Sequence, residues 1–219
     1  AYSDYASAYK TYLPDTARMK VIGATEDFQI DDGVLTAYLG NGGEVVIPEG
    51  VTEIGTSAFQ NCTTLTRVTI PKNVTAIGDN AFRGCTSLTE AVFSEGLQGI
   101  EKRAFNGCTA LRAAAFPASL TSIDDYAFDG CSGLSGGLVI PAAVTAIGEY
   151  AFRGCTGLNG KLIIEAGKAK TIGAYAFDDC SKLSGVELGN GITSIYQYAF
   201  NNCSGLRGNL VIPDSVTSI

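Results

Sequence analysis

The side chains able to do chemistry in this sequence are few in kind. There are seven cysteines, no histidine, and, within the Ala-Phe repeats, the candidate acid pairs Asp124 with Asp125 and Asp178 with Asp179. Without histidine the Ser-His and Cys-His nucleophile systems are excluded, which leaves carboxylate chemistry. A carboxylate hydrolase needs two acids facing each other across a cleft, whereas neighbours in a turn point in different directions. The cysteines stand singly, without any Cys-x-x-Cys pair, so no metal centre is expected from them. Their number is odd and their side chains should run parallel, which argues against disulfides and for buried free thiols serving as small hydrophobes. The sequence therefore predicts no catalytic residue, no metal site and no cofactor.

What positions these cysteines is a repeat. An Ala-Phe pair recurs with its Phe at Phe59, Phe82, Phe105, Phe128, Phe152, Phe177 and Phe200, at spacings of 23, 23, 23, 24, 25 and 23. Three residues after each Phe comes a Cys (Cys62, Cys85, Cys108, Cys131, Cys155, Cys180, Cys203), and three later a Leu (Leu65, Leu88, Leu111, Leu134, Leu158, Leu183, Leu206). A β-favouring stretch then ends at Ile70, Phe93, Phe116, Ile140, Ile164, Leu188 or Ile212, and a second short extended piece ends at Ile77, Ile100, Ile123, Ile147, Ile172, Ile195 or Ile219. Ile47 and Ile54 open the series. A unit this short cannot bury its own apolar face, so its stability must come from stacking on its neighbours.

The expected fold is a right-handed solenoid of parallel β-strands with short helical turns, about 23 residues per turn. Eight strands from Val45 to Ile212 would make one sheet on the order of 35 Å long. The Ala-Phe-x-x-Cys piece should be the helical turn, with Asp79, Glu101, Asp124, Asp125 and Glu149 favoured by its N-terminal N–H groups. Extra residues fall at glycine-rich corners around Gly136, Gly160 and Gly208, which keeps the inward rows in register. Residues 44–219 form the solenoid in this reading, truncated in the last repeat, and 1–43 an N-terminal segment. In that segment Tyr2, Tyr5, Tyr9 and Tyr12 suggest a short helix before Pro14, and Phe28 to Tyr38 a hairpin-like cap. Ala1 reads as a processed or engineered beginning. The interruption at Ile219 reads as a cut from a longer protein, with an uncapped end open to self-association.

The frame Ile-Pro-x-x-Val-Thr-x-Ile-Gly-x-x-Ala-Phe-x-x-Cys-x-x-Leu, seen from Ile47 through Leu65 and from Ile70 through Leu88, resembles the BspA-like leucine-rich repeats. The lead-in from Phe28 to Thr36, with Tyr38 and Gly40, resembles the segment that precedes the first repeat in that family. The resemblance spans about residues 28–219 and implies an exported surface protein of the kind found in bacteria and some protists, often linked to adhesion. It carries fold more strongly than function, because the recurring residues are core residues.

Fifteen Lys and Arg against 22 Asp and Glu give a net charge of −7, which repels polyphosphates and anionic lipid headgroups. Nucleic acid is not expected as a partner. The uncharged run from Gly130 to Gly148 contains Pro141 and five glycines inside the repeat pattern, so membrane insertion is not expected either. Two outward rows remain as candidate binding surfaces. One residue before each strand end lie Val46, Thr69, Val92, Ala115, Val139, Ile163, Glu187 and Val211, an aliphatic strip that is either ordinary β-favouring sequence or a recognition surface. The second row precedes each Ala-Phe and includes Tyr126, Tyr150, Tyr175 and Tyr198, which either stack for stability or bind sugars or proteins. The function expected is extracellular binding or adhesion, presenting a sheet face to a protein or glycan. The alternative is a passive stalk holding another domain away from the cell surface.

Overall fold

The computed structural model of the chain describes residues 25–168 and 170–219, so the tyrosines of the proposed N-terminal helix lie outside the described residues. A 3-10 turn at Thr25–Asp27 leads into strands β1 (Phe28–Asp31), β2 (Val34–Tyr38), β3 (Gly43–Val46), β4 (Glu53–Ile54) and β5 (Leu65–Ile70). Next come β6 (Ala76–Ile77), β7 (Glu90–Phe93), β8 (Gly99–Ile100), β9 (Ser122–Ile123) and β10 (Gly136–Ile140). The series closes with β11 (Ala146–Ile147), β12 (Leu158–Ile164), β13 (Lys170–Ile172), β14 (Gly185–Leu188) and β15 (Ile192–Ile195). β1 and β2 form an antiparallel hairpin, and the other pairings are parallel, one turn of the coil to the next. The chain is a parallel β-solenoid of the expected period.

The continuous sheet is the one built from the short pieces. Its nine strands run β1-β2-β4-β6-β8-β9-β11-β13-β15. The longer strands, expected to make a single sheet, form two three-stranded sheets instead, β3-β5-β7 and β10-β12-β14. Between them the Leu111–Phe116 rung belongs to no strand. Arg112 N donates to Thr89 O at 3.1 Å and Arg112 O accepts from Ser135 N at 3.0 Å, and there the regular ladder stops. Two causes coincide at this rung. Ala113-Ala114-Ala115 has weak β propensity. The corner also lengthens, from four residues between Leu111 and Phe116 to five between Leu134 and Ile140. The longer rungs absorb the extra residue as a register shift between Gly136 and Leu138, with Gly136 at a φ of +77°. The segment ending at Ile212 is likewise outside any strand.

The Ala-Phe-x-x-Cys segment is not helical. Its N–H groups alternate between two uses, as the first turn shows. Ser57, Phe59 and Asn61 donate along the solenoid axis to Asp79, Ala81 and Arg83 of the next turn. Ala58, Gln60 and Cys62 donate three residues back to Gly55, Ser57 and Phe59. An α-helix would need every N–H to point back four residues, and half of them are committed to the neighbouring rung. The outcome is a run of tight turns, with a left-handed residue before Ala and another before Cys in every repeat. Two of the acids assigned to helix N-termini serve the rung ladder instead. Asp79 Oδ1 accepts from Lys102 N at 3.1 Å, and Asp125 Oδ1 from Glu149 N at 2.8 Å.

Phe, Ala, Cys, Leu and the strand-end residues point inward. The seven repeat phenylalanines stack as one column, with centroids 4.8 Å apart at Phe59–Phe82 and 5.4 Å at Phe177–Phe200. Tyr38 extends the column onto the hairpin at 4.7 Å from Phe59. Stacking by translation brings like onto like, which is why one repeat specifies the whole core.

Candidate functional site

The buried face of each turn uses its reactive groups internally. From Cys85 onward each cysteine Sγ donates to the carbonyl of the Phe in the preceding turn: Cys85 to Phe59, Cys108 to Phe82, Cys131 to Phe105, Cys155 to Phe128, Cys180 to Phe152 and Cys203 to Phe177, at 3.1–3.3 Å. All seven cysteines are free thiols. Burial pushes Cys85 up to about 12 and Cys203 up to about 11, and raises Cys108, Cys131, Cys155 and Cys180 as well. A thiol held neutral in the core is neither nucleophile nor metal ligand. Among the described residues no group of His, Cys, Asp or Glu is arranged to hold a metal ion.

The acid pairs do not converge. Asp125 is tied to the Glu149 amide and lies 3.9 Å from Lys102 Nζ. The carboxyl of Asp124 is raised by partial burial and by neighbouring Asp125 and Asp79. Asp178 is buried and accepts from Asn201 Nδ2 at 2.8 Å, while Asp179 is exposed with a φ of +59°.

One buried polar group went unflagged by sequence reasoning. Lys170 is fully buried, and its Nζ donates to the carbonyls of Pro141, Ala142 and Val144 at 2.8–3.0 Å. Burial lowers its pKa, and Glu165 partly opposes the shift. Lys170 pairs in register with Ile192, at a place where other turns carry an aliphatic residue such as Val144. The signal was a lysine in an apolar row, at the turn holding an extra residue.

The aliphatic row keeps its outward aspect but not its continuity. Val46, Thr69 and Val92 are register partners on β3-β5-β7, and Val139, Ile163 and Glu187 on β10-β12-β14. Val46 and Val139 are 42% and 44% exposed, Thr69, Val92 and Ile163 are half-buried, and Ala115, Glu187 and Val211 are exposed. Ala115 sits in the strandless rung between the two groups. Charged residues flank the row as ion pairs, Arg67 with Glu90 and Lys161 with Glu187, the latter at 2.6 Å.

The tyrosine row is continuous. Tyr126–Tyr150, Tyr150–Tyr175 and Tyr175–Tyr198 stack at 4.8, 4.8 and 4.9 Å. The Arg103 guanidinium caps the stack at 4.8 Å from the Tyr126 centroid. Beside it runs a polar row, one residue after each Phe. Asp129, buried, takes both Nε and Nη2 of Arg153 at 2.8 and 2.9 Å and accepts from Asn106 Nδ2 at 2.9 Å. Arg153 lies 4.9 Å from the Tyr150 centroid, so the two rows touch. Opposite charges one repeat apart at Asp129 and Arg153 were the unread signal here.

All four tyrosines are left-handed, at φ between +56° and +60°. The left-handed position before Cys, by contrast, is filled by Asn61, Gly84, Gly107, Gly130, Gly154, Asp179 and Asn202, the residue types that tolerate it. A bulky residue there costs on the order of 1–2 kcal/mol. Each stacked pair returns about 0.5–1.5 kcal/mol, and there are three pairs for four strained residues. Stacking thus offsets the strain without exceeding it, and stability alone does not select tyrosine at this place.

The model of the BspA type leucine rich repeat region matches residues 38–159 and 136–219. The chain belongs to the BspA-type leucine-rich repeat family. Among solved structures, it is similar to a leucine-rich repeat protein of T. pallidum at 33% identity, with a TM-score of 0.77 over 84% of this chain and 90% of that one. It is also similar to a leucine-rich repeat protein of Bacteroides ovatus at 29% identity and a TM-score of 0.70, covering 87% of this chain and 54% of that one. This chain thus spans about half of the latter protein. No curated protein matches it. BspA-type solenoids are characteristically cell-surface or secreted and generally serve as non-enzymatic binding or adhesion scaffolds.

Proposed function

We propose that this BspA-type solenoid binds a protein partner at the cell surface through the outer face of its longer strands. The observation that carries the reading is the aliphatic row left uncovered on two paired sheets, Val46-Thr69-Val92 and Val139-Ile163, beside charged residues that can set orientation. An aliphatic patch with a polar rim suits a protein surface better than a glycan, because its gain comes from removing apolar area from water. The strandless rung at Ala115 and the charge at Glu187 favour the alternative, a stalk that spaces another domain from the surface.

Changing Val92, Val139 and Ile163 together to Thr separates the two. Fold and melting temperature should hold within a few degrees, because Thr keeps the branched β-favouring shape at positions that are exposed or half-buried on the outer face. Beads coated with the wild-type chain should adhere to one or more members of a panel of immobilised surface proteins, and the triple variant about tenfold less. Equal adhesion by both, or adhesion by neither, leaves the stalk reading standing. Collapse of the variant would show that the strip is covered.

A further inference from the structure

We propose that the tyrosine row and its neighbouring polar row form a second binding surface, separate from the sheet face, that takes a neutral glycan chain lying along the solenoid axis. The proposal does not rest on the protein-binding reading of the sheet face.

Four features point to that ligand. First, the same left-handed place is filled by Ser57, Asn80 and Arg103 in the earlier turns, so the fold itself does not call for tyrosine there. Second, every ring between Tyr126 and Tyr175 has its faces taken by its neighbours, so the surface offers ring edges and hydroxyls rather than apolar faces. A partner must therefore be met by hydrogen bonding, from phenols together with the amide and guanidinium groups of Asn106, Arg153 and Asn201, the first two held in place by buried Asp129.

Third, the backbone of this face is spent. Tyr126, Tyr150 and Tyr175 donate their N–H to Glu149, Ala174 and Gln197 of the next turn, and their carbonyls accept from Asp129, Arg153 and Asp178. A peptide strand therefore finds no main-chain partner here, which removes the main-chain route of peptide recognition. Fourth, the strip spans four rungs, roughly 15 Å at the strand spacing, and is one or two side chains wide. That is far below the ~800 Å² per partner of a stable protein interface, and it fits a narrow, extended polar chain. The net charge of −7, with Asp125 and Glu149 beside the row against Arg103, and with Arg153 already paired to Asp129, disfavours an acidic polysaccharide.

The test is affinity electrophoresis of the folded protein through gels carrying neutral polysaccharides (dextran, galactomannan, mannan and a β-glucan) and one polyuronate. Tyrosine emission is followed in parallel, and the chain has no tryptophan to mask it. The comparison variant is Tyr150→Asn with Tyr175→Asn. It should fold, because Asn80 holds the same place at a φ of +56°. Retardation by at least one neutral polysaccharide is expected, with a change in tyrosine emission, and apparent affinity should fall about tenfold or more in the double variant. The triple Thr variant of the sheet face should bind the glycan as the wild type does. Absence of retardation by every neutral polymer, retardation by the polyuronate alone, or undiminished binding by the folded double variant would each overturn the proposal.

Discussion

Within a single turn the inward and outward positions obey different rules. Inward, Ala, Phe, Cys and Leu recur in every turn, and their rings and thiols repeat the same contacts. Outward, one residue before the Ala, the backbone is equally constant, with φ from +56° to +61° throughout, yet the residues run Ser57, Asn80, Arg103 and then four tyrosines. The rung-to-rung hydrogen bonds fix the backbone whichever side chain is mounted on it. Identity inside is dictated by packing, while identity outside is left free, and free positions are where a scaffold acquires a partner. The expected effects of perturbation should follow that division.

The largest effect should come from alkali acting on the inward thiols together. Six cysteines have folded pKa values raised above the ordinary 9.0. Above pH 9 the unfolded chain can release those protons and the folded one cannot, so stability present in full below pH 9 is lost as pH rises toward the folded values. Each thiol that stays neutral in the folded chain gives up on the order of 1 kcal/mol per pH unit above 9, and the six act in the same direction. Lys170, shifted downward, acts in the opposite sense, one group against six. Denaturant titrations at pH 8 and pH 10 should show a steep drop, reduced by Cys131→Ala. A flat profile would break the assignment of the thiols to the core.

Next in size is the central ring. Phe128 stacks between Phe105 and Phe152 at 5.1 and 5.2 Å and is fully buried, so Phe128→Ala should cost about 3–5 kcal/mol in chemical unfolding. Smallest is the outward row. Tyr150→Asn loses two stacked neighbours but relieves a strained φ, and its stability should stay within about 1 kcal/mol of wild type. Comparable losses at Phe128 and Tyr150 would mean that the two sides of the turn are not distinct in the way drawn here.

The repeat was legible because it is periodic: one frame, read once, placed the Phe column and the thiols. Several features were hidden because they depend on bonds between turns rather than residues within one. The helical turn expected at Ala-Phe-x-x-Cys failed because alternate N–H groups go to the next rung, which no single repeat reveals. The single long sheet failed at Ala113–Ala115, where weak propensity meets a change in corner length. Lys170 was passed over because a charged residue in an apolar row makes sense only beside the three carbonyls of the turn below it.

The gap at Leu111–Phe116 also gives the molecule a mechanical character. Strands lie across the solenoid axis, so tension along that axis loads the rungs in series, and each can peel before the next bears the full force. Apart from the last turn, whose segment ending at Ile212 is also outside any strand, a rung is held on two sides, by a longer strand and by the nine-stranded sheet, whereas at the gap one of those ladders is interrupted while the other runs through. The solenoid is thus a spring with a weak coil near its middle and an unbroken backing. In a single-molecule axial pull the first yield should open between Phe93 and Gly136, and a first yield elsewhere would assign the gap no mechanical weight. A tether that gives at one coil dissipates a sudden load before the remaining turns are strained.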